Sequence, residues 1–355
     1  MEFGILGLAA AGKSTVFSLL TGIPVPQDAG KSHQGIAKVP DNRLAALSAL
    51  FKPRKHTPAT VKFVDVPPLT KGGASSLNLA ELRTMDALAV VLRGFDNPQV
   101  PHPEGDLNPR RDLELIETEL LLSDLAVVSG RLERLARELP KHRTPKLEAE
   151  KTTLERCLAA LEQGQPLREL SFSPEEQAQL KGFTFLTLKP LLVILNADES
   201  QAANLSAALQ KWELDKLAER PQVVITAVCA PLEEEISQLE SSEQEAFLSE
   251  LGLPDRALHR LLQKGYSLLG LISFFTVGED ECRSWSIRRG TPAAKAAGVI
   301  HSDFERGFIR AEVVPWDTLL ALGSLAQCRQ NGLLRQEGKD YVVQDGDVIT
   351  FKFNV

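Results

Sequence analysis

Apolar and polar positions follow two different rhythms along this chain. Phe3, Ile5, Leu6 and Leu8 form an apolar run that predicts a buried strand, and Val16, Leu19 and Leu20 begin a helical pattern directly behind it. The stretch 59–65 alternates around Val61 and Phe63 and stops at Pro67-Pro68, which predicts a strand ending in Asp65. A helix over 77–85 and a continuous apolar run over 88–92, read as a central strand, complete the pattern of an α/β layer with a parallel sheet. From Arg110 the period lengthens to about 3.6 residues. Leu113, Ile116, Leu120, Val127, Leu132 and Leu135 keep it, and Leu147, Leu154, Leu158 and Leu161 resume it after Pro140 and Pro145. That is the signature of two long antiparallel helices, a helical hairpin or coiled coil.

Ser173, followed by Pro174-Glu-Glu176, reads as a helix cap, after which the α/β rhythm returns. Strands are predicted over 191–195, running into Asn196, and over 222–228, with a helix over 257–269. The hairpin is therefore an insertion. Beyond about residue 273 the texture changes to short β segments, over 274–277, 285–287, 308–313, 341–343 and 348–353, which predicts a small α+β domain. The division is 1–108 and 173–272 for one interrupted domain, 109–172 for the hairpin, and 273–355 for the last domain.

Gly7 to Ser14 fits the phosphate-binding pattern G-x-x-x-x-G-K-S/T, set between a strand and a helix as the chemistry requires. Gly7 and Gly12 let the backbone bend around phosphate oxygens, and the amides of Ala10, Ala11, Gly12 and Thr15 are candidates to face the charge. Lys13 would reach the β and γ phosphates and act in catalysis, while the Ser14 hydroxyl and the Asp65 carboxylate would hold Mg²⁺. Asn196-Ala-Asp-Glu199 stands where a P-loop GTPase carries its base-reading N-K-x-D. In that motif the aspartate accepts two hydrogen bonds from guanine and the lysine packs along the base. Ala197 and the longer Glu199 weaken guanine selectivity and admit adenine.

Near the far end of the hairpin Arg131, Arg134, Arg137, Lys141, Arg143 and Lys146 face only Glu133 and Glu138. Two readings stand: a solvated helix face, or a basic finger for a phosphate-rich partner such as RNA. Such a patch would have to be local, because the 355-residue chain carries a net charge of -7. Cys157, Cys229, Cys282 and Cys328 are scattered singly, which argues against a disulfide framework or a zinc site. The early strand leaves no room for a signal peptide and no apolar run reaches about 18 residues, so the expectation is a soluble, cytoplasmic protein.

Several longer stretches now add up. Gly35-Ile-Ala-Lys-Val-Pro-Asp-Asn-Arg43, the strand ending at Asp65, Ile116-Glu-Thr-Glu-Leu120, Arg288-Arg-Gly-Thr-Pro292, and the runs 297–312 and 338–349 resemble the YchF or Obg-like ATPase family over nearly the full length. The resemblance implies a P-loop G domain with an inserted helical hairpin and a C-terminal ubiquitin-like TGS domain. It also implies use of ATP in preference to GTP and association with ribosomes. By the same resemblance Cys229 and Ala230 match the last base-side loop, where a backbone amide meets the purine. Leu69 takes the place of the catalytic glutamine of ordinary GTPases, and His102 matches a histidine linked to hydrolysis.

The departures are specific. Ala9, Ala10 and Ala11 replace the middle of the family's phosphate loop. Pro68 replaces the glycine of D-x-x-G and brings no amide hydrogen for the γ phosphate. Ala29 or a neighbour stands where a threonine would ligate Mg²⁺, and the second switch, 71–78, is short. These losses fall on the parts that sense the γ phosphate. Two functional expectations follow: a slow Mg²⁺-dependent ATPase whose nucleotide state tunes ribosome contact, or a degenerate nucleotide-binding adaptor that reaches ribosome or RNA through the hairpin and the last domain.

Overall fold

The computed structural model describes residues 1–24, 31–68, 76–251, 253 and 255–354. The chain runs through β1 (Glu2–Leu6), α1 (Lys13–Thr21), β2 (His33–Lys38), α2 (Asn42–Phe51), β3 (Lys55–Thr57), β4 (Thr60–Asp65), α3 (Ser76–Thr84) and β5 (Ala87–Gly94). It continues through α4 (Pro109–Glu138), α5 (Pro145–Glu162), α6 (Pro174–Leu180), β6 (Leu191–Ala197), α7 (Leu205–Lys211), β7 (Val223–Val228), α8 (Ala230–Gln238), α9 (Ser241–Glu250) and α10 (Ala257–Leu268). The last part holds β8 (Leu271–Thr276), β9 (Glu281–Arg288), α11 (Ala293–Ile300), α12 (Ser302–Arg306), β10 (Phe308–Pro315), α13 (Trp316–Leu322), α14 (Leu325–Gln330), β11 (Arg335–Glu337) and β12 (Asp347–Phe353). These elements form two compact units, 1–36 with 62–261, and 37–61 with 262–355.

The first unit is built on a sheet of order β2-β4-β1-β5-β6-β7, in which β1, β4, β5, β6 and β7 pair in parallel. Every residue of β5 and β6 is buried, as their continuous apolar runs require of strands covered on both faces. Val90, Leu92, Val193 and Leu195 join one core with Leu113, Ile116 and Leu120 from the start of α4. The carboxyl ends of β1, β4, β5 and β6 thus open on one edge, where ligands of α/β sheets bind.

The hairpin is set by its caps. Asn108 accepts from the Arg111 amide at 3.0 Å ahead of Pro109, and Thr144 accepts from the Leu147 amide at 3.3 Å ahead of Pro145, which occupies a first-turn position where its missing N–H costs nothing. Val128 and Leu135 pack on Leu154, Cys157 and Leu161. Ser173 and Glu176 close a reciprocal capping box on α6. The basic residues are less free than their count suggests. Arg131 crosses to Glu150 on α5 at 2.6 and 3.1 Å and also reaches Glu138, and Arg143 pairs with Glu148. Arg134, Arg137 and Lys141 are exposed.

The second unit has the strand order β11-β10-β12-β8-β9-β3. Its β10 pairs antiparallel with β11 and β12, and β8 pairs antiparallel with β9. One face packs Ile272, Phe274 and Ile287 on Ala293, Ala296 and Ala297 of α11. The other packs Phe275, Val314 and Val348 on Leu319, Cys328 and, from α2, Leu44 and Leu47. Residues 37–61, which the sequence division holds within 1–108, group here. Their helix and edge strand complete a core whose other members lie more than two hundred positions later. Thr57 donates to Glu281 at 2.6 Å, and Arg43 joins Asp41 at 2.8 Å to Asp345 at 3.0 Å. The strand expected over 341–343 is a single bridge, Pro292 to Val342.

Leu47 is fully buried, so Leu47→Ala is expected to destabilise the second unit by about 2–5 kcal/mol through lost contact and a cavity. Urea unfolding followed by Trp285 and Trp316 emission checks this, and a change within error of zero would contradict the placement of α2.

Candidate nucleotide-binding site

The chain leaves β1 at Leu6 and turns back into α1 through a loop that needs its glycines. A Cβ on Gly7 would lie 2.6 Å from the Val91 carbonyl oxygen, and one on Gly12 would collide with the Asn196 side-chain amide. Gly12 also sits at φ 81, and Ala10 beside it at φ 61, a region that side chains rarely adopt. Gly12 caps α1 and has no side chain with which to claim the first-turn amides. Lys13 is buried, and its ammonium donates to Asp65 Oδ1 and, at 2.6 Å, to the Val66 carbonyl oxygen. Ser14 Oγ donates to Asp65 Oδ2 at 3.1 Å. The loop and the end of β4 thus bring Lys13, Ser14 and Asp65 together.

Ser14 and Asp65 supply two hard oxygen donors side by side. Among the described residues no group of three or more His, Cys, Asp or Glu side chains could hold a metal by itself. A cation on this pair would draw its remaining ligands from phosphate and water, the habit of Mg²⁺.

On the other side of the loop stands Asn196, buried at the end of β6. Its Oδ1 accepts from the Ala230 amide at 3.1 Å and its Nδ2 donates to the Ala11 carbonyl oxygen at 3.3 Å, bracing the phosphate loop against the start of α8. A cavity of about 500 Å³ opens beside it, lined by Gly12, Thr15, Phe95, Asp96, Asn97, Asn196, Ala197, Asp198, Glu199, Ala230, Pro231 and Glu234. Asp198 is committed to its own turn: it accepts from the Ser200 hydroxyl at 2.6 Å and amide at 3.0 Å, and these bonds hold its carboxyl below the usual range. Glu199 is exposed at the cavity wall. Cys229 caps the entry to α8 from a buried position, where burial pushes its thiol pKa up.

Comparison with known proteins gives this arrangement a context. The YchF-GTPase_C profile, described as "Protein of unknown function (DUF933)", matches residues 271–354. The chain is 39% identical over 362 residues to the Ribosome-binding ATPase YchF of Bacillus subtilis, covering 99% of both. The chain belongs to the YchF/Obg-like ATPase family. Obg-like ATPase 1 of Caenorhabditis elegans, another relative, is 36% identical over 369 residues, covering 100% of this chain and 92% of that protein. The solved YchF GTPase of Schizosaccharomyces pombe has the same fold, with a TM-score of 0.86 at 30% identity over 99% of this chain and 97% of that one.

Within this YchF-family fold not every candidate meets the cavity. Gly12, Thr15, Asn196, Ala197, Glu199 and Ala230 line it, whereas Gly7, Ala10, Ala11, Lys13, Ser14, Asp65, Cys229 and His102 do not. His102 Nδ1 accepts from the Glu104 amide at 3.1 Å, which leaves Nε2 to donate to Asp112 at 2.9 Å, so both ring nitrogens are engaged. Pro68 is exposed just beyond β4; Ala29, Leu69 and residues 71–75 lie outside the described residues. Sequence reasoning missed Phe95, Asp96 and Asn97. Their signal was position alone, directly after a central strand at the carboxyl edge of the sheet. No helix among the described residues is long and apolar enough to cross a membrane.

Proposed function

We propose that this chain binds ATP in preference to GTP, together with Mg²⁺, in the cavity at the end of the phosphate loop, hydrolyses it slowly, and changes its association with ribosomes according to the nucleotide held. The observation that carries the reading is the Lys13, Ser14 and Asp65 cluster at the loop. On binding, the Lys13 ammonium exchanges Asp65 and the Val66 carbonyl for phosphate oxygens, and the α1 amides complete the cradle. Mg²⁺, when bound on Ser14 and Asp65, would neutralise charge on the phosphates. Asn196 fixes the loop, and Glu199, at the cavity wall, would accept from an exocyclic amine of the base. The ribosome part draws on the relatives' name and on the exposed Arg134, Arg137 and Lys141 of the hairpin.

A second reading, a nucleotide-binding adaptor without useful turnover, is favoured by Pro68, which has no amide for the γ phosphate, and by the engaged His102. A single-turnover assay of the purified chain with ATP or GTP and Mg²⁺, run beside co-sedimentation with ribosomes, separates the two. Phosphate release from ATP, and pelleting that depends on nucleotide and weakens in Arg134→Glu/Arg137→Glu, are the expected results. That pelleting should also weaken as salt rises. Tight binding without release selects the adaptor. A GTP preference of about a hundredfold would refute the adenine assignment.

A further inference from the structure

The first unit carries a second cavity, of about 210 Å³, beside the nucleotide cavity. Its apolar wall is made by Ala202 and Ala203 from the short helical turn Glu199–Asn204, by Leu232 from α8, and by Leu251 and Leu253 from the chain that leaves α9. Glu199 belongs to the linings of both cavities. Leu251 is 38% exposed, so this wall is open to solvent and is not filled by the chain's own core. A pit of this size takes one apolar group as large as a leucine side chain or an aromatic ring. An open apolar recess with polar residues at its rim marks a place where another molecule docks.

Charge says which kind of molecule. Residues 230–255 hold eight acidic side chains and no Lys or Arg, more negative charge than the net -7 of the whole chain. Of these, Glu233 is buried and spent on Arg256 and on the amides of Ala257 and Leu258. Glu234, Glu235 and Glu250, and with them Glu199, are exposed and make no ion pair among the described residues. Glu199 and Glu235 lie in the lining of the pit, and Glu234 and Glu250 adjoin lining residues in the chain. Such a group of uncompensated carboxylates repels phosphate, which disfavours both nucleic acid and the anionic face of a membrane. A second copy of this chain fits poorly as well: the exposed hairpin cations Arg134 and Arg137 flank Leu135, which is fully buried and offers no anchor.

We infer that this pit is the docking site for a basic segment of another protein. One apolar side chain of the partner sits against Leu232, Leu251 and Leu253, and the Lys or Arg residues beside it face the four exposed glutamates. This is the anatomy of a small transient interface, an apolar anchor at the centre with a charged rim that steers the encounter. The surface is the electrostatic reverse of the hairpin, whose exposed Arg134, Arg137 and Lys141 suit a phosphate-rich partner. The inference stands apart from the nucleotide reading, and its test needs no nucleotide.

Fluorescence anisotropy with the full chain and two labelled heptapeptides tests it, each peptide carrying six lysines around one central residue, leucine in one and serine in the other. At about 0.15 M salt the leucine peptide is expected to bind about tenfold more tightly than the serine peptide. Leu251→Ser should erase that difference, and Glu235→Lys/Glu250→Lys should weaken both peptides by about tenfold while keeping their ratio. Rising salt should act as the charge reversal does, on both peptides alike. Equal binding of the two peptides by the parent chain, a difference that survives Leu251→Ser, or no binding up to about 1 mM chain overturns the proposal. Should Leu251→Ser fail to fold, Glu235→Lys/Glu250→Lys decides, since both changes are at exposed positions, and an unchanged affinity for the leucine peptide overturns the proposal. Self-association in sedimentation that Leu251→Ser abolishes would assign the pit to a second copy, and binding of a labelled dodecauridylate that Leu251→Ser abolishes would assign it to RNA; either overturns the proposal.

Discussion

Lys13→Ala is expected to abolish phosphate release and, separately, to destabilise the nucleotide-free protein by about 3–5 kcal/mol. Both effects come from one buried contact. The Lys13 ammonium and the Asp65 carboxylate are both nearly inaccessible to solvent, with side-chain exposures of 7% and 5%, and truncating the lysine leaves a buried carboxylate with Ser14 as its one side-chain donor among the described residues. Lys13→Ala combined with Asp65→Asn removes that stranded charge. The double variant is therefore expected to recover most of the stability in urea unfolding and none of the turnover. This pattern separates the two roles of the pair, since a merely unfolded site would regain activity together with stability. Phosphate release surviving in Lys13→Ala would place the chemistry elsewhere.

Glu117→Ala should be comparably costly, at about 3–5 kcal/mol, with no direct effect on the nucleotide. Glu117 accepts from Arg168 at 2.8 Å and from Arg220 at 2.8 and 2.9 Å, and Arg220 reaches on to Glu169 at 2.7 Å. Arg168 has a fully buried side chain, so removal of Glu117 strands a cation where the hairpin leaves the sheet. Burial works against the Glu117 charge, yet the hydrogen bonds from Arg220 and the positive charge of Arg168 outweigh it and hold the carboxyl below its usual range. The folded-state pKa thus lies below the unfolded value of about 4.3. The stabilisation is fully present above that unfolded value and is lost as pH falls through the lower, folded one. Urea unfolding at a series of pH values below about 5 should show this decline in the parent chain and a shallower one in Glu117→Gln. Equal slopes would remove Glu117 from the account of acid lability.

What could be read in advance follows the range of the interactions. The phosphate-loop pattern and the cap at Ser173 are local signals, in which the residues that make the structure are neighbours in sequence. The fate of 37–61 is not local. Nothing in the spacing of Leu44 and Leu47 says that their core contains Phe275 and Val314. Arg131 shows the same limit: counted with its sequence neighbours it is excess charge, yet Glu150 on the facing helix claims it. His102 misses the cavity and Phe95 lines it for a related reason. A loop imidazole is reachable by many partners, and Asp112 and Glu104 engage it, while the ring that enters the cavity belongs to a stretch without a motif.

The excursion of 37–61 also governs the order in which this chain can fold. During synthesis α2 emerges with Leu44 and Leu47 apolar and unpartnered, and the strands β8, β9, β10 and β12 that complete their core are made more than two hundred residues later. The second unit is therefore a structure of high contact order, closed only when both of its distant segments, 37–61 and 262–355, have been made. A chain cut short before β12 leaves the apolar face of α2 uncovered. Synthesis of β12 is what turns that helix from a liability for aggregation into part of a finished core.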